Sequence, residues 1–98
     1  MIESRFHLSK DSRLVRLSIV SEINRPDLRY GLPVSDPTTM FRVTVELVTR
    51  GPEPEGFPPT WRLLKLVGPD PSWQRMQEAL LTIFRLYQAD GWSQVEYD

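Results

Sequence analysis

With 98 residues, 40% of them hydrophobic, the chain is long and apolar enough to bury one core as a single domain. It contains no cysteine, which excludes disulfides, thiolate zinc sites, iron–sulfur clusters and cysteine nucleophiles. The formal net charge of −1 argues against a nucleic-acid or other polyanion binder, which needs a strong basic excess.

The N-terminal half shows the two-residue period of strands that bury one face and expose the other. This period covers residues 5–9, 13–23 and 41–49, which we predict to be strands, and the polar residues 10–12 predict a hairpin turn between the first two. Val48 falls on the otherwise polar side of the third strand. The alternating apolar positions are Phe6, Leu8, Val15, Leu17, Ile19, Ile23, Phe41, Val43, Val45 and Leu47.

Two proline-rich segments interrupt this pattern. Residues 24–40 are long for a connection inside a small domain, and such loops are usually functional or mobile. Arginine, tyrosine and leucine side chains in this loop favour a docking role, because these types carry protein interfaces. The predicted partner-binding residues are Arg25, Leu28, Arg29 and Tyr30, together with Arg42 of the following strand. Residues 51–60 predict a semi-rigid hairpin tip.

Residues 61–67 predict a fourth strand with apolar side chains on both faces. Strict alternation places Trp61, Leu63 and Val67 on one side and Leu64 and Leu66 on the other. A strand with two apolar faces is typical of a central position or of a second covering layer. Trp61 is accordingly assigned to the core.

The C-terminal segment predicts an amphipathic helix over residues 71–90. Asp70 is the expected N-cap and Pro71 the first helical residue, while Gly91 suits the left-handed residue that ends a helix. Trp92 is expected to fold back on Tyr87. The residues predicted to share the buried side are Trp73, Met76, Leu80, Ile83, Phe84 and Tyr87, with Leu81 and Leu86 widening the stripe.

Together these elements predict an α+β fold: an antiparallel sheet of four or five strands with one C-terminal helix packed on one face. The fifth strand would come from residues 93–97. The polar start of the chain, and the absence of an apolar run near the ~20 residues of a membrane helix, predict a cytoplasmic protein without membrane insertion.

No catalytic, metal-binding or cofactor-binding residue is predicted. His7 is the only histidine, and nothing in the sequence supplies it with a nucleophile or carboxylate, so a surface or structural role is expected. The five glycines are isolated and form no phosphate-binding motif. Acid pairs are conceivable at Asp27 with Asp36 and at Glu53 with Glu55, in loops where acids ordinarily face solvent.

The leading hypothesis is a non-enzymatic module that binds another protein through loop 24–40 and the free sheet face. One alternative is a small-ligand-binding or catalytic domain with a pocket between sheet and helix. Another is nucleic-acid binding through the sheet face, using Arg5, Arg13, Arg16 and Arg42. The predicted polar face offers no aromatic side chain for base stacking, which argues against this last alternative.

The C-terminal run PDPSWQRMQEALLTIFRLYQADGW resembles small soluble accessory proteins of photosynthetic complexes in cyanobacteria and chloroplasts. The similarity is to a photosystem II assembly factor family, through Pro71, Trp73 and Tyr87, and the layout is also similar to peripheral subunits of the NADH-dehydrogenase-like complex. It implies a non-catalytic accessory or assembly subunit that docks on the stromal or cytoplasmic side of a membrane complex. It transfers no functional residues to this chain.

Overall fold

An antiparallel sheet of five strands carries one helix across one of its faces in the computed structural model, which describes residues 1–24, 38–49 and 60–96. This confirms the predicted fold class. The elements, in chain order, are β1 (Ile2–Lys10), β2 (Arg13–Asn24), β3 (Thr38–Thr49), β4 (Thr60–Asp70), α1 (Trp73–Ala89) and β5 (Ser93–Val95). The ends of the predicted loop 24–40 therefore belong to β2 and β3, and most of it lies outside the described residues.

The strands are arranged in the order β4-β3-β2-β1-β5. Strands β1 to β4 form a meander in which each strand pairs with the next, and β5 returns after the helix to pair with β1. Leu17 of β2 lies opposite Phe6 of β1 on one side and Val45 of β3 on the other. The apolar positions of neighbouring strands therefore fall on the same face.

The hairpin between β1 and β2 has a two-residue turn. Lys10 pairs with Arg13, and Asp11 and Ser12 between them both have positive φ, 50° and 64°. Positive φ at both central residues defines a type I′ turn, whose twist matches that of the flanking strands. The predicted hairpin is confirmed.

The core lies between α1 and the apolar face of the sheet. Phe84 of the helix packs against Phe6 of β1, with ring centroids 5.6 Å apart. The buried residues that form this core are Leu8, Val15, Leu17, Ile19, Val43, Val45, Met76, Leu80, Ile83 and Trp92. Their burial removes apolar surface from water, the main source of stability in such a domain.

The buried stripe of the helix is narrower than predicted. Leu81 and Leu86 are exposed, because they lie about a third of a turn and about a quarter of a turn to opposite sides of the buried line. The residues of that line are Met76, Leu80 and Ile83. Trp73 is also exposed, although its ring meets Phe41 edge-on with centroids 5.4 Å apart. Ile23, near the end of β2, is a further predicted core residue that is exposed.

The helix begins two residues later than predicted. Ser72, and not Asp70, is the N-cap, and its hydroxyl accepts a hydrogen bond of 3.2 Å from the Arg75 amide. Asp70 instead accepts a 2.7 Å hydrogen bond from the Ser72 amide, which fixes the chain as it enters the helix. Pro71 thus precedes the cap rather than occupying the first turn.

The end of the helix is a Schellman motif, as predicted. Gly91 has φ of 93°, and its amide donates to the Gln88 carbonyl at 3.0 Å. The Trp92 amide donates to the Tyr87 carbonyl at 3.0 Å, and the two rings meet edge-on at 5.4 Å. This turn brings the chain back to the sheet, where β5 begins at Ser93.

Strand β4 departs from regular alternation at two bulges. Leu63 pairs with Glu46 and Lys65 with Val45, so Leu64 is an extra residue relative to β3. A second irregularity lies between the Val43–Val67 and Phe41–Asp70 pairs. Each bulge shifts the side chains beyond it to the opposite face.

Candidate functional site

The face of the sheet opposite α1, here called the open face, carries a polar centre between apolar side chains. The pairing His7–Arg16–Glu46–Leu63 runs across four strands and defines one row of this face. The next row is Arg5–Ser18–Thr44–Leu66. Beside them lie Val20 and Arg42 at one end and Val48 and Trp61 at the other.

Arg16 is the centre of this face. Its Nη2 donates to both carboxylate oxygens of Glu46 at 2.9 Å, and its Nε donates to Oε1 at 3.1 Å. Its guanidinium carbon lies 3.9 Å from the centroid of the Trp61 ring. The planar guanidinium can pair and stack at the same time, which an ammonium group cannot do. One side chain thus connects β2, β3 and β4.

His7 also lies near the ring of Trp61. Its imidazole centroid is 6.1 Å from that of Trp61, with the planes tilted by 57°. Burial lowers the pKa of His7, and the positive charges of Arg5 and Arg16 lower it further. The neutral imidazole is therefore the favoured form on this face.

Two further arginines are held by side chains on the open face. Arg5 donates from Nε to the hydroxyl of the fully buried Ser18 at 2.9 Å. Burial lowers the pKa of Arg5, an effect that Arg16 reinforces and Glu46 opposes. Arg42 forms an ion pair with Glu22, and its buried Nε has no hydrogen-bond partner among the described residues.

The leucines of β4 form the exposed apolar part of the site. Leu63, Leu64 and Leu66, here called the β4 leucines, are 53%, 46% and 47% exposed. Among the described strands β4 pairs only with β3, so its other edge carries backbone groups that no described strand bonds. A long edge strand with exposed leucines is a surface that other chains can join.

Of the predicted partner-binding residues, the structure places Arg42 on the open face. Arg25, Leu28, Arg29 and Tyr30 lie outside the described residues. The acid pairs Asp27 with Asp36 and Glu53 with Glu55 also lie outside them.

The arginines proposed for nucleic-acid binding do not form a free positive surface. Arg16 and Arg42 are paired with Glu46 and Glu22, and Arg13 lies apart, at the hairpin turn. Paired cations offer little electrostatic attraction to phosphate. The structure does supply an aromatic ring beside Arg16, Trp61, but this ring is already stacked on the guanidinium.

The placement of Trp61 and Leu63 is the main point that sequence reasoning missed. Both were predicted on the side of Val67, with Trp61 in the core, whereas they register with Val48 and Glu46 on the open face. The bulge at Leu64 causes the difference, because an extra residue reverses the alternation. A signal was present in Val48, the apolar residue on the polar side of β3, which pairs with Trp61 and is only 9% exposed.

A ligand-binding or catalytic domain needs a pocket with polar groups or a cluster of metal-ligating side chains. A shallow depression of about 210 Å³ lies at the end of α1, lined by Leu86, Tyr87 and Asp90. Burial raises the pKa of Tyr87, and the charge of Asp90 raises it further, so the phenol stays protonated. Residues 1–24, 38–49 and 60–96 contain no cluster of acidic, histidine or cysteine side chains that could hold a metal ion.

None of the helices in these residues has the length and apolar character needed to span a bilayer.

Comparison of the chain with protein-family models, with curated proteins and with solved structures gave no match. The open face and β4 are therefore the features from which we infer a function.

Proposed function

We propose that this protein is a non-enzymatic protein-binding module that docks its partner on the open face along β4. The observation that carries the proposal is the exposure of the β4 leucines, which are about half accessible although they follow one another on a single strand. Apolar side chains concentrated in this way stabilise a complex when a partner removes them from water.

The side chains beside the leucines suit such an interface. Tryptophan and arginine are the residue types that most often dominate binding energy. Here Trp61 and Arg16 are already locked together by stacking and by the Glu46 ion pair. A preorganised pair loses little side-chain entropy when a partner binds.

The accessory-subunit role implied by the helix resemblance is one specific form of this function. In that form the partner is a larger protein complex of photosynthetic cells. The predicted partner-binding residues of the loop would then add to the contact; they are Arg25, Leu28, Arg29 and Tyr30. The same experiment tests the general and the specific form.

The test is affinity purification of the tagged chain from extracts of its native cells, with mass spectrometry of the co-purifying proteins. We expect one partner or complex in stoichiometric amount. The double variant Leu63→Asp/Leu66→Asp should reduce its recovery at least tenfold, since charges on both leucines prevent burial.

Leu86→Asp is the matched control, because Leu86 is 65% exposed but lies on the helix, away from β4. Circular dichroism must show that all variants remain folded. Equal loss of the partner in the control and the double variant, or no partner with the native chain, would contradict the proposal.

A further inference from the structure

Strand β4 has one edge that pairs with no described strand, here called the free edge, and it presents a different chemistry on each side of that edge. On the open-face side the register places Leu63 and Leu66, opposite Glu46 and Thr44 of β3. On the helix side it places Arg62 and Lys65, opposite Leu47 and Val45. The edge is therefore apolar on one side of the sheet and basic on the other.

The two basic side chains are free to meet a partner. Arg62 and Lys65 are both exposed, and neither forms an ion pair within the described residues. By contrast, Arg16, Arg42 and Lys10 all have carboxylate partners. Two unpaired positive charges, those of Arg62 and Lys65, thus lie on the strand that has the free edge.

A second copy of this chain is a poor occupant of this edge. Two β4 strands paired about a two-fold axis perpendicular to the sheet would bring Arg62 and Lys65 of both copies to the same side. Like charges on facing strands destabilise the pairing. Lysine and bulges on edge strands are also features that prevent self-association, and β4 has both Lys65 and the bulge at Leu64.

We propose that β4 binds its partner by strand addition, and that the partner segment is an extended chain in which apolar and acidic residues alternate. The alternation of a strand would direct the apolar residues towards Leu63 and Leu66 and the acidic residues towards Arg62 and Lys65. Backbone hydrogen bonds to the free edge supply affinity, and the two basic residues select the charge. This inference rests on the proposed docking along β4 and adds the conformation and charge of the partner.

The experiment uses peptides of defined chemistry with the full chain. An acetylated eight-residue peptide that alternates valine with glutamate is titrated into the ¹⁵N-labelled protein and followed by amide chemical shifts. The matched peptide contains lysine in place of glutamate. We expect shifts centred on residues 60–70 and an affinity for the glutamate peptide at least tenfold higher than for the lysine peptide.

Charge reversal provides the decisive variant. Arg62→Glu/Lys65→Glu should invert the preference, so that the lysine peptide binds more tightly. Arg13→Glu/Arg85→Glu makes the same change in net charge at two exposed positions away from β4 and should keep the preference of the native chain. Equal affinity for both peptides, or an inversion by the control variant as well, would overturn the assignment of charge selection to β4.

Backbone pairing needs its own control. A glutamate peptide methylated on alternate backbone nitrogens keeps its side chains but loses donors for the ladder, so we expect its binding to disappear. Binding that survives methylation would overturn strand addition. A concentration-dependent dimer in sedimentation equilibrium that Lys65→Glu strengthens would assign the edge to a second copy and overturn the acidic partner.

The two proposals can fail separately. Suppose that the native partner is lost with Leu63→Asp/Leu66→Asp but retained with Arg62→Glu/Lys65→Glu. That result would support protein binding along β4 and contradict the proposed acidic partner strand. If neither double variant reduces recovery of the partner, docking along β4 is contradicted.

Discussion

The guanidinium of Arg16 lies between a carboxylate and an aromatic ring: Glu46 binds its nitrogens at 2.9 and 3.1 Å, and the Trp61 ring lies 3.9 Å from its central carbon. These three residues come from three neighbouring strands. The contact therefore holds the open face together across the sheet, on the side that the helix does not cover.

Replacement of Arg16 by lysine tests this contact. Lysine keeps the charge but loses the forked pairing and the stacking, so we expect the free energy of unfolding in urea to fall by about 1 kcal/mol. A double-mutant cycle with Trp61→Leu should give a coupling energy of about 0.5–1 kcal/mol.

Arg13→Lys is the control for this substitution, since Arg13 is exposed at the hairpin turn. It should change the stability by less than about 0.5 kcal/mol. A cycle without measurable coupling would show that the stacking of Arg16 on Trp61 contributes nothing.

His7 gives the protein a pH dependence in a defined range. Burial, followed by the charges of Arg5 and Arg16, lowers its pKa in the folded chain, whereas the unfolded chain retains a value of about 6.5. The resulting stabilisation is complete above about pH 6.5 and is lost as the pH falls from there towards the folded pKa, because the unfolded chain binds the proton first.

Proton NMR can follow this titration directly, since His7 is the only histidine. We expect a pKa below 6.5 in the folded protein, and a smaller loss of stability between pH 7 and pH 5 in His7→Gln than in the native chain. A pKa at or above 6.5, with the same pH dependence in both proteins, would contradict this.

Gly68 and Gly91 have similar positive φ values, 100° and 93°, but different surroundings. A Cβ at Gly68 would lie 2.9 Å from the Phe41 carbonyl oxygen, whereas at Gly91 the nearest atom is 3.5 Å away on the flexible Lys10 side chain. We expect Gly68→Ala to cost about 2–3 kcal/mol and Gly91→Ala about 1–2 kcal/mol. Thermal unfolding of the two variants compares them, and equal losses would mean that backbone conformation alone sets the cost.

The type I′ turn offers a stabilising substitution. Ser12 has φ of 64°, which an L-residue adopts at a cost and glycine adopts freely. Ser12→Gly should therefore raise the free energy of unfolding by about 0.5–1 kcal/mol. Ser9→Gly, in the middle of the sheet between β2 and β5, should lower it by about the same amount. A destabilised Ser12→Gly protein would contradict the turn geometry.

The sequence was most informative where one local rule determined one structure. The alternation from Phe6 to Leu47 places the core face of three strands, and Gly91 with Trp92 marks the end of the helix. These features depend on neighbours in the chain, which is the information that a sequence displays.

The candidate site was less predictable because it depends on register between strands. The bulge at Leu64 has no sequence signal of its own, yet it moves Trp61 and Leu63 from the predicted side of Val67 to the open face. The exposure of Leu66 follows from the position of β4 at the edge of the sheet, and strand order cannot be read from periodicity. The pairing of Arg16 with Glu46 likewise depends on which strands become neighbours.

The two outer strands of the described sheet differ in length: β4 has eleven residues, whereas β5, at the opposite side, has three. Growth of cross-β fibrils requires each added layer to present a new edge as long as the one it covered. Two copies paired through β4 would have as outer edges β5 and the part of β1 that β5 does not cover. The two edges of the sheet are therefore unequal, so copies that paired through β4 would have no second β4 edge to which a further copy could add.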